Sequence, residues 1–167
     1  AGDPTLPDLT IGESITFELT ATLREGRIRG FEINDLLPSS PGQLAFVSAE
    51  VVSIGGNLFV RDDTRPGTEG APLGAPTITE NGSLVRFVFA DDIVNRPDNV
   101  VNDDDRIVVR VTAVLTDVPG NAPGTEVENE GAAVFTAAGQ VVRIEDSAAA
   151  EVVGPAFTIA KNADREI

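Results

Sequence analysis

The stretch RIVVRVTAVL, Arg106–Leu115, carries the clearest structural pattern in the chain. Ile107, Val109 and Val111 alternate with residues of a second face, which is the period of a β-strand that turns one face toward a core. The stretch SITFELTATL, Ser14–Leu23, alternates in the same way. Both segments are therefore predicted to be strands that pack on a common core.

Shorter runs of this kind continue along the chain, with turn residues between them. The other predicted strands are 29–35, 44–54, 57–60, 84–89, 131–136, 141–144 and 147–153, and 62–75 reads as a polar loop. The 16 glycines and 11 prolines punctuate the runs at strand-like intervals. No apolar stripe of helical period extends over ten residues, so crossover helices for a parallel sheet are lacking. The sequence predicts an all-β fold, an antiparallel β-sandwich.

Composition excludes several classes of function. With 27 acidic and 12 basic residues the net charge is −15, which argues against a nucleic-acid partner. No apolar run approaches the roughly 18 residues of a membrane span, so we expect no membrane insertion. The chain has no histidine, cysteine or tyrosine and no nucleophile motif, so we expect it not to be an enzyme. A solvated surface or divalent cations would both account for the acidity.

The order of the segments resembles a known family. IGESITFELTATL, INDLLP, LAFVSAEVVSIGGN, DDDRIVVRVTAVL, GTEVENEGAAVF and SAAAEVVGPAFTIAKNAD follow one another as in the repeat domains of bacterial surface proteins, of the DUF11-like and fimbrial isopeptide-forming D2 types. The resemblance covers nearly the whole chain. It implies an Ig-like or Cna-like sandwich in an extracellular, cell-surface stalk, pilus or adhesin.

In that family a module opens with a strand that lies here at the C-terminus, Pro155–Asn162. When the C-terminus of the chain is joined to its N-terminus, the combined sequence reads as one uninterrupted module opening, PAFTIAKNADREI-AGDPTLPDLTIGESITFELT. We therefore expect 1–154 to form the sandwich body and 155–167 to be a displaced first strand that completes the next copy, as a tandem repeat or as a donated strand. The alternatives are a tail that folds back on its own body and a disordered tail.

The resemblance also implies a cross-link. Lys161, the only lysine, takes the position of the family's attacking lysine, Asn129 that of the asparagine it attacks, and Asp35 that of the assisting acid. The amine must be neutral to attack, and the acid must be protonated to polarise the carboxamide. The simpler interpretations are a turn cap for Asp35, a loop hydrogen bond for Asn129 and a solvated side chain for Lys161.

A second cluster of polar side chains lies in FADDIVNRPDNVVNDDDR, which we predict to be a loop between two strands. The candidate calcium ligands are Asp91, Asp92, Asp98, Asn102, Asp103, Asp104 and Asp105. Ca²⁺ takes about six to eight oxygen ligands, an inventory that this loop can supply, although it lacks the EF-hand order. The alternative is a solvated loop without metal.

Two functions follow from these observations. The first is a structural building block of an extracellular fibre, pilus or adhesin stalk, whose partners are other copies of itself in a head-to-tail array. The second is a calcium-dependent adhesin domain that binds an external ligand, which the residues do not identify.

Overall fold

The computed structural model describes residues 5–38, 42–65 and 68–154; the predicted C-terminal strand, including Lys161, lies outside the described residues. Within the described ranges no helix has the length and hydrophobicity of a membrane span. The described residues form twelve strands and two short 3₁₀ helices, at Asp103–Asp105 and Pro119–Asn121. The strands are β1 (Asp8–Leu9), β2 (Ser14–Thr22), β3 (Gly26–Leu36), β4 (Leu44–Ile54), β5 (Leu58–Arg61), β6 (Glu69–Pro72), β7 (Thr77–Asn81), β8 (Leu84–Val88), β9 (Asp92–Asn95), β10 (Arg106–Leu115), β11 (Glu126–Ala137) and β12 (Gln140–Val152).

These strands form two sheets that enclose one core. The larger sheet has nine strands in the order β1-β12-β11-β3-β9-β5-β6, with β8 also paired to β3 and β7 paired to β8. The smaller sheet has the order β2-β10-β4. All pairs are antiparallel except β1 with β12, which is parallel. The predicted all-β sandwich is thereby confirmed.

The core forms between the inner faces of the two sheets. Val109 and Val111 on β10 are fully buried and belong to the same cluster as Phe31 and Ile33 of β3 and Phe87 of β8. Burying one such side chain contributes about 1.5–3 kcal/mol, so strands with this alternation are driven to pack face to face. The period-two pattern that predicted the strands is thus the pattern of core contacts.

Several element boundaries differ from the sequence predictions. The predicted strands 141–144 and 147–153 are one continuous strand, β12, because the polar residues between them lie exposed and pair with β11. The predicted polar loop 62–75 contains the short strand β6. The predicted acidic loop contains β9, whose Ile93, Val94 and Asn95 are buried. Strands β4 and β10 have the predicted boundaries.

Strand β2 lies at one end of the three-stranded sheet. In the described part of the chain it pairs only with β10, from Ser14 opposite Val114 to Thr22 opposite Arg106. Its other edge therefore presents backbone N–H and C=O groups that no described strand uses, which is the usual template for an added strand.

Candidate functional site

Beyond β2 the sandwich is open. On the inner face of β12, Ala150 and Val152 are buried in the core, whereas Ile144, Asp146 and Ala148 of the same face are exposed. No described strand beyond β2 covers this half of β12. The result is a groove of about 640 Å³ that is lined by β2, β3, β11 and β12.

The floor of this groove is apolar and its rim is polar. Leu19, Ala21 and Phe135 line it and are only partly buried against the core. The acidic side chains of Glu18 and Glu145 are exposed at its rim. Such a floor has the chemistry of a surface that another strand should cover, because uncovered apolar area costs free energy in water.

Asn129 lines the groove and forms a buried pair with Asp35. The Asn129 Nδ2 donates a hydrogen bond of 2.8 Å to Asp35 Oδ2, across 94 positions of sequence. The strand register explains this contact, because Asp35 on β3 lies opposite Gly131 on β11, two residues from Asn129 on the same inner face. Gly131 is required by packing here: a Cβ at this position would lie 2.5 Å from Leu19 Cδ2.

Burial gives this pair unusual electrostatics. Asp35 is 0% and Asn129 3% exposed. Desolvation raises the pKa of Asp35 to about 6, against the opposing effect of the Asn129 hydrogen bond, which lowers it. Among the described residues, Asp35 Oδ1 and Asn129 Oδ1 have no hydrogen-bond partner. Buried polar atoms are seldom left in this state, so the pair has acceptor capacity for a donor that enters from the groove.

The raised pKa of Asp35 predicts a stability that falls as pH rises. The folded state holds the proton up to about pH 6, whereas the unfolded chain loses it near pH 3.9, so ionisation opposes folding between these values. We expect an unlinked Lys161→Ala chain to lose about 2 kcal/mol of unfolding free energy between pH 4 and pH 7 relative to Lys161→Ala/Asp35→Asn. Denaturant melts of both variants across this range measure the difference, and parallel pH profiles would contradict the assignment.

Two of the three residues predicted for the cross-link therefore meet in the folded chain. The Asp35 carboxylate points into the core at Asn129 instead of capping the turn before Pro38, and the Asn129 side chain bonds Asp35 instead of a loop. The position of Lys161 lies outside the described residues. The lining contributed by β12 was not predicted from the sequence, although the apolar Ile144 between the charged Arg143 and Glu145 was a usable signal.

The acidic residues of 91–105 do not converge. In the described ranges, no three acidic side chains lie close enough to hold a metal ion. Asp92 forms a bidentate ion pair with Arg27, whose hydrogen bonds hold the pKa of Asp92 below its usual value. The side chain of Asp98 accepts hydrogen bonds from Asn57 Nδ2, at 2.9 Å, and from the backbone N–H of Val100, at 2.8 Å.

The rest of this loop is organised by its own backbone. Asn102 and Asp105 form a reciprocal capping box around the 3₁₀ helix, and the backbone bond from Asn102 lowers the pKa of Asp105. Asp103 pairs with Arg106 at 2.5 Å. These carboxylates are thus occupied by protein donors, and the geometry does not fit a calcium shell. Calcium binding stays a prediction that this arrangement does not support.

The fold can be compared with known proteins. No protein-family model matches the sequence, and no curated protein matches it. Among solved structures, the chain is similar to the full-length major pilin SpaD from Corynebacterium diphtheriae, with a TM-score of 0.54 and 16% identity over 86% of this chain and 32% of the pilin. It is also similar to the N-terminal domain of the Streptococcus gordonii adhesin Sgo0707, with a TM-score of 0.51 and 8% identity over 90% of this chain and 31% of that one. The chain thus spans about a third of the length of each, and it shares their β-sandwich fold.

Proposed function

We propose that this chain is a structural unit of an extracellular fibre, pilus or adhesin stalk, joined to neighbouring copies by a strand that fills the open groove. The observation that carries the proposal is the buried Asp35–Asn129 pair at an uncovered part of the sandwich. The fold shared with a major pilin and an adhesin supports the cell-surface setting.

The added strand is residues 155–167. Its stretch Phe157–Lys161, FTIAK, alternates large side chains with the small residues Thr158 and Ala160, and ends on the lysine. Laid along the free edge of β2, it makes the backbone hydrogen bonds of strand addition. Phe157 and Ile159 then cover the apolar floor, and Lys161 reaches Asn129.

The groove supplies the conditions for an isopeptide bond between these two side chains. An apolar surrounding favours the neutral amine of Lys161, whose Nζ attacks Asn129 Cγ. The new Nζ–Cγ bond replaces Cγ–Nδ2, and ammonia leaves. Asp35 Oδ2 lies 2.8 Å from Nδ2, where it can take a proton from the attacking amine and pass it to the leaving nitrogen. Each cross-link thus forms one amide bond and releases one ammonia, with no other reactant.

The test is the intact mass of the full chain under denaturing conditions after incubation at high concentration. We expect covalent oligomers that have lost one ammonia per link. Lys161→Arg is the matched control, since it keeps the charge and most of the reach but has no amine that can become neutral. Wild-type protein that stays an unmodified monomer contradicts the cross-link. Native mass spectrometry of the same samples tests strand exchange separately, because it also detects non-covalent oligomers.

A further inference from the structure

We infer that the strand in the groove runs in the same direction as β12 and antiparallel to β2, and that the tail of a neighbouring copy supplies it instead of the chain's own tail. This inference rests on the proposed function and deepens it, since it assigns the polarity and the source of the strand.

The direction of β2 follows from its contacts. Leu19 packs over Gly131 in the first half of β11. Further along β2, the carbonyl oxygen of Leu23 accepts a hydrogen bond from Asn95 Nδ2, and Asn95 pairs with Gly26. Because β3 and β11 are antiparallel, Gly26 lies toward the end of β11, beyond the level of Thr136. Strand β2 therefore runs alongside β11 in the same direction, and antiparallel to β12.

The groove is open on one side of Asn129 only. Asn129 lies opposite Ala148 of β12. From there the inner face of β12 is uncovered back to Ile144, where Phe135 and Arg24 also line the groove. In the other direction, Ala150 and Val152 are 1% exposed and leave no room for further side chains.

The order of residues in the added strand matches the side on which the groove is open. With Lys161 at Asn129, the apolar Phe157 and Ile159 precede the lysine, and NADRE follows it. The two apolar side chains find uncovered floor only if they lie toward Ile144. The strand must then enter beside Phe135 and run toward Ala148, so that its charged end leaves the groove past Asn129.

The chain's own tail cannot adopt this path. Gly154 lies at the opposite end of β12, against Pro123. Phe157 would have to lie level with Ile144, and the ten residues from Ile144 to Gly154 span about 33 Å of extended strand. The three residue steps from Gly154 to Phe157 reach at most about 11 Å. A second copy has no such limit, so the groove of one copy accepts the tail of another.

Cysteine pairs in the full chain test the polarity, because the native sequence has no cysteine. If Lys161 lies level with Phe17, an antiparallel strand places Thr158 next to Thr20, whereas a parallel strand places it next to Ser14. Thr20 and Ser14 are both exposed on β2 and lie about 20 Å apart, whereas a disulfide needs Cα atoms within about 7 Å. A Thr158→Cys chain is mixed under mild oxidation with a Thr20→Cys chain or with a Ser14→Cys chain as the matched control.

We expect disulfide-linked heterodimers with Thr20→Cys and at least tenfold fewer with Ser14→Cys. Preferential linkage to Ser14→Cys overturns the polarity. The source of the strand is tested with a chain that carries both Thr158→Cys and Ser14→Cys. If this chain closes an internal disulfide as a monomer, a neighbouring copy is not the source. After the first outcome a neighbour's strand still fills the groove, so the proposed function survives. After the second outcome the chain's own tail fills the groove, so the proposed joining of copies fails together with the inference. Absence of cross-links in every mixture, with only monomers in native mass spectrometry, overturns the inference and the proposed strand exchange together.

Discussion

Replacing Asp35 with asparagine should slow formation of the Lys161–Asn129 bond by about 10²–10⁴-fold, the usual contribution of a positioned acid or base. The carboxyl group of Asp35 is the only titratable group in hydrogen-bond contact with Asn129 in the described structure. An amide of the same shape can still accept the Asn129 hydrogen bond, but it cannot carry a proton from the amine to the leaving nitrogen. The measurement is the rate at which covalent oligomers appear in denaturing mass spectra.

This substitution separates chemistry from docking. Asp35→Asn removes a buried carboxyl group whose ionisation opposes folding, so the folded chain should be at least as stable at pH 7 as its parent. Non-covalent oligomers should therefore persist in native mass spectra. Glu128→Gln is the matched control, because it makes the same chemical change at an exposed position next to Asn129. A bond that forms at the parental rate in Asp35→Asn would show that another group moves the proton.

The strands whose bounds were predicted are those with long apolar-rich runs between turn residues. Strand β10 alternates in burial along its whole length, and β4 keeps its predicted boundaries although its burial pattern is interrupted and its pairing with β10 has two register shifts. Strand β9 was missed because its short apolar pair, Ile93 and Val94, lies in a stretch whose acidic density is typical of a loop. Strand β12 was divided because its uncovered half follows no alternation, and this half is the floor of the groove.

The candidate site was predictable only through the resemblance. Asp35 and Asn129 are 94 positions apart, and no local pattern marks either of them as a member of a buried pair. The open edge of β2 was predictable from the same resemblance, which places the module's first strand at the C-terminal Pro155–Asn162. The strand direction that the groove accepts was not predictable, because it depends on which residues of β12 the small sheet leaves uncovered. Local sequence predicts the strands themselves, whereas the proposed function depends on which edge of the folded sandwich has no described partner strand.

Replacing Phe87 with alanine should lower the free energy of unfolding by about 3–5 kcal/mol, the usual cost of removing a buried phenylalanine. Phe87 is 0% exposed and lies on β8 opposite Ile33 of β3. The substitution removes most of a large side chain from a core enclosed on both faces, and the rigid sheets on either side limit how far the cavity can collapse. A chain of this size should lose roughly 6–20 °C of melting temperature.

The free energy of unfolding should be measured in chains that also carry Lys161→Ala, because a cross-link could otherwise mask the loss. Val88→Ala is the matched control, since Val88 is the next residue of the same strand and is 36% exposed on the outer face. It should cost less than about 1 kcal/mol. The same strand pairs Val85 with Asp35, so β8 supports the strand that carries the acid. A Phe87→Ala loss no larger than that of Val88→Ala would mean that β8 is not packed as described, and that the burial which raises the pKa of Asp35 has another source.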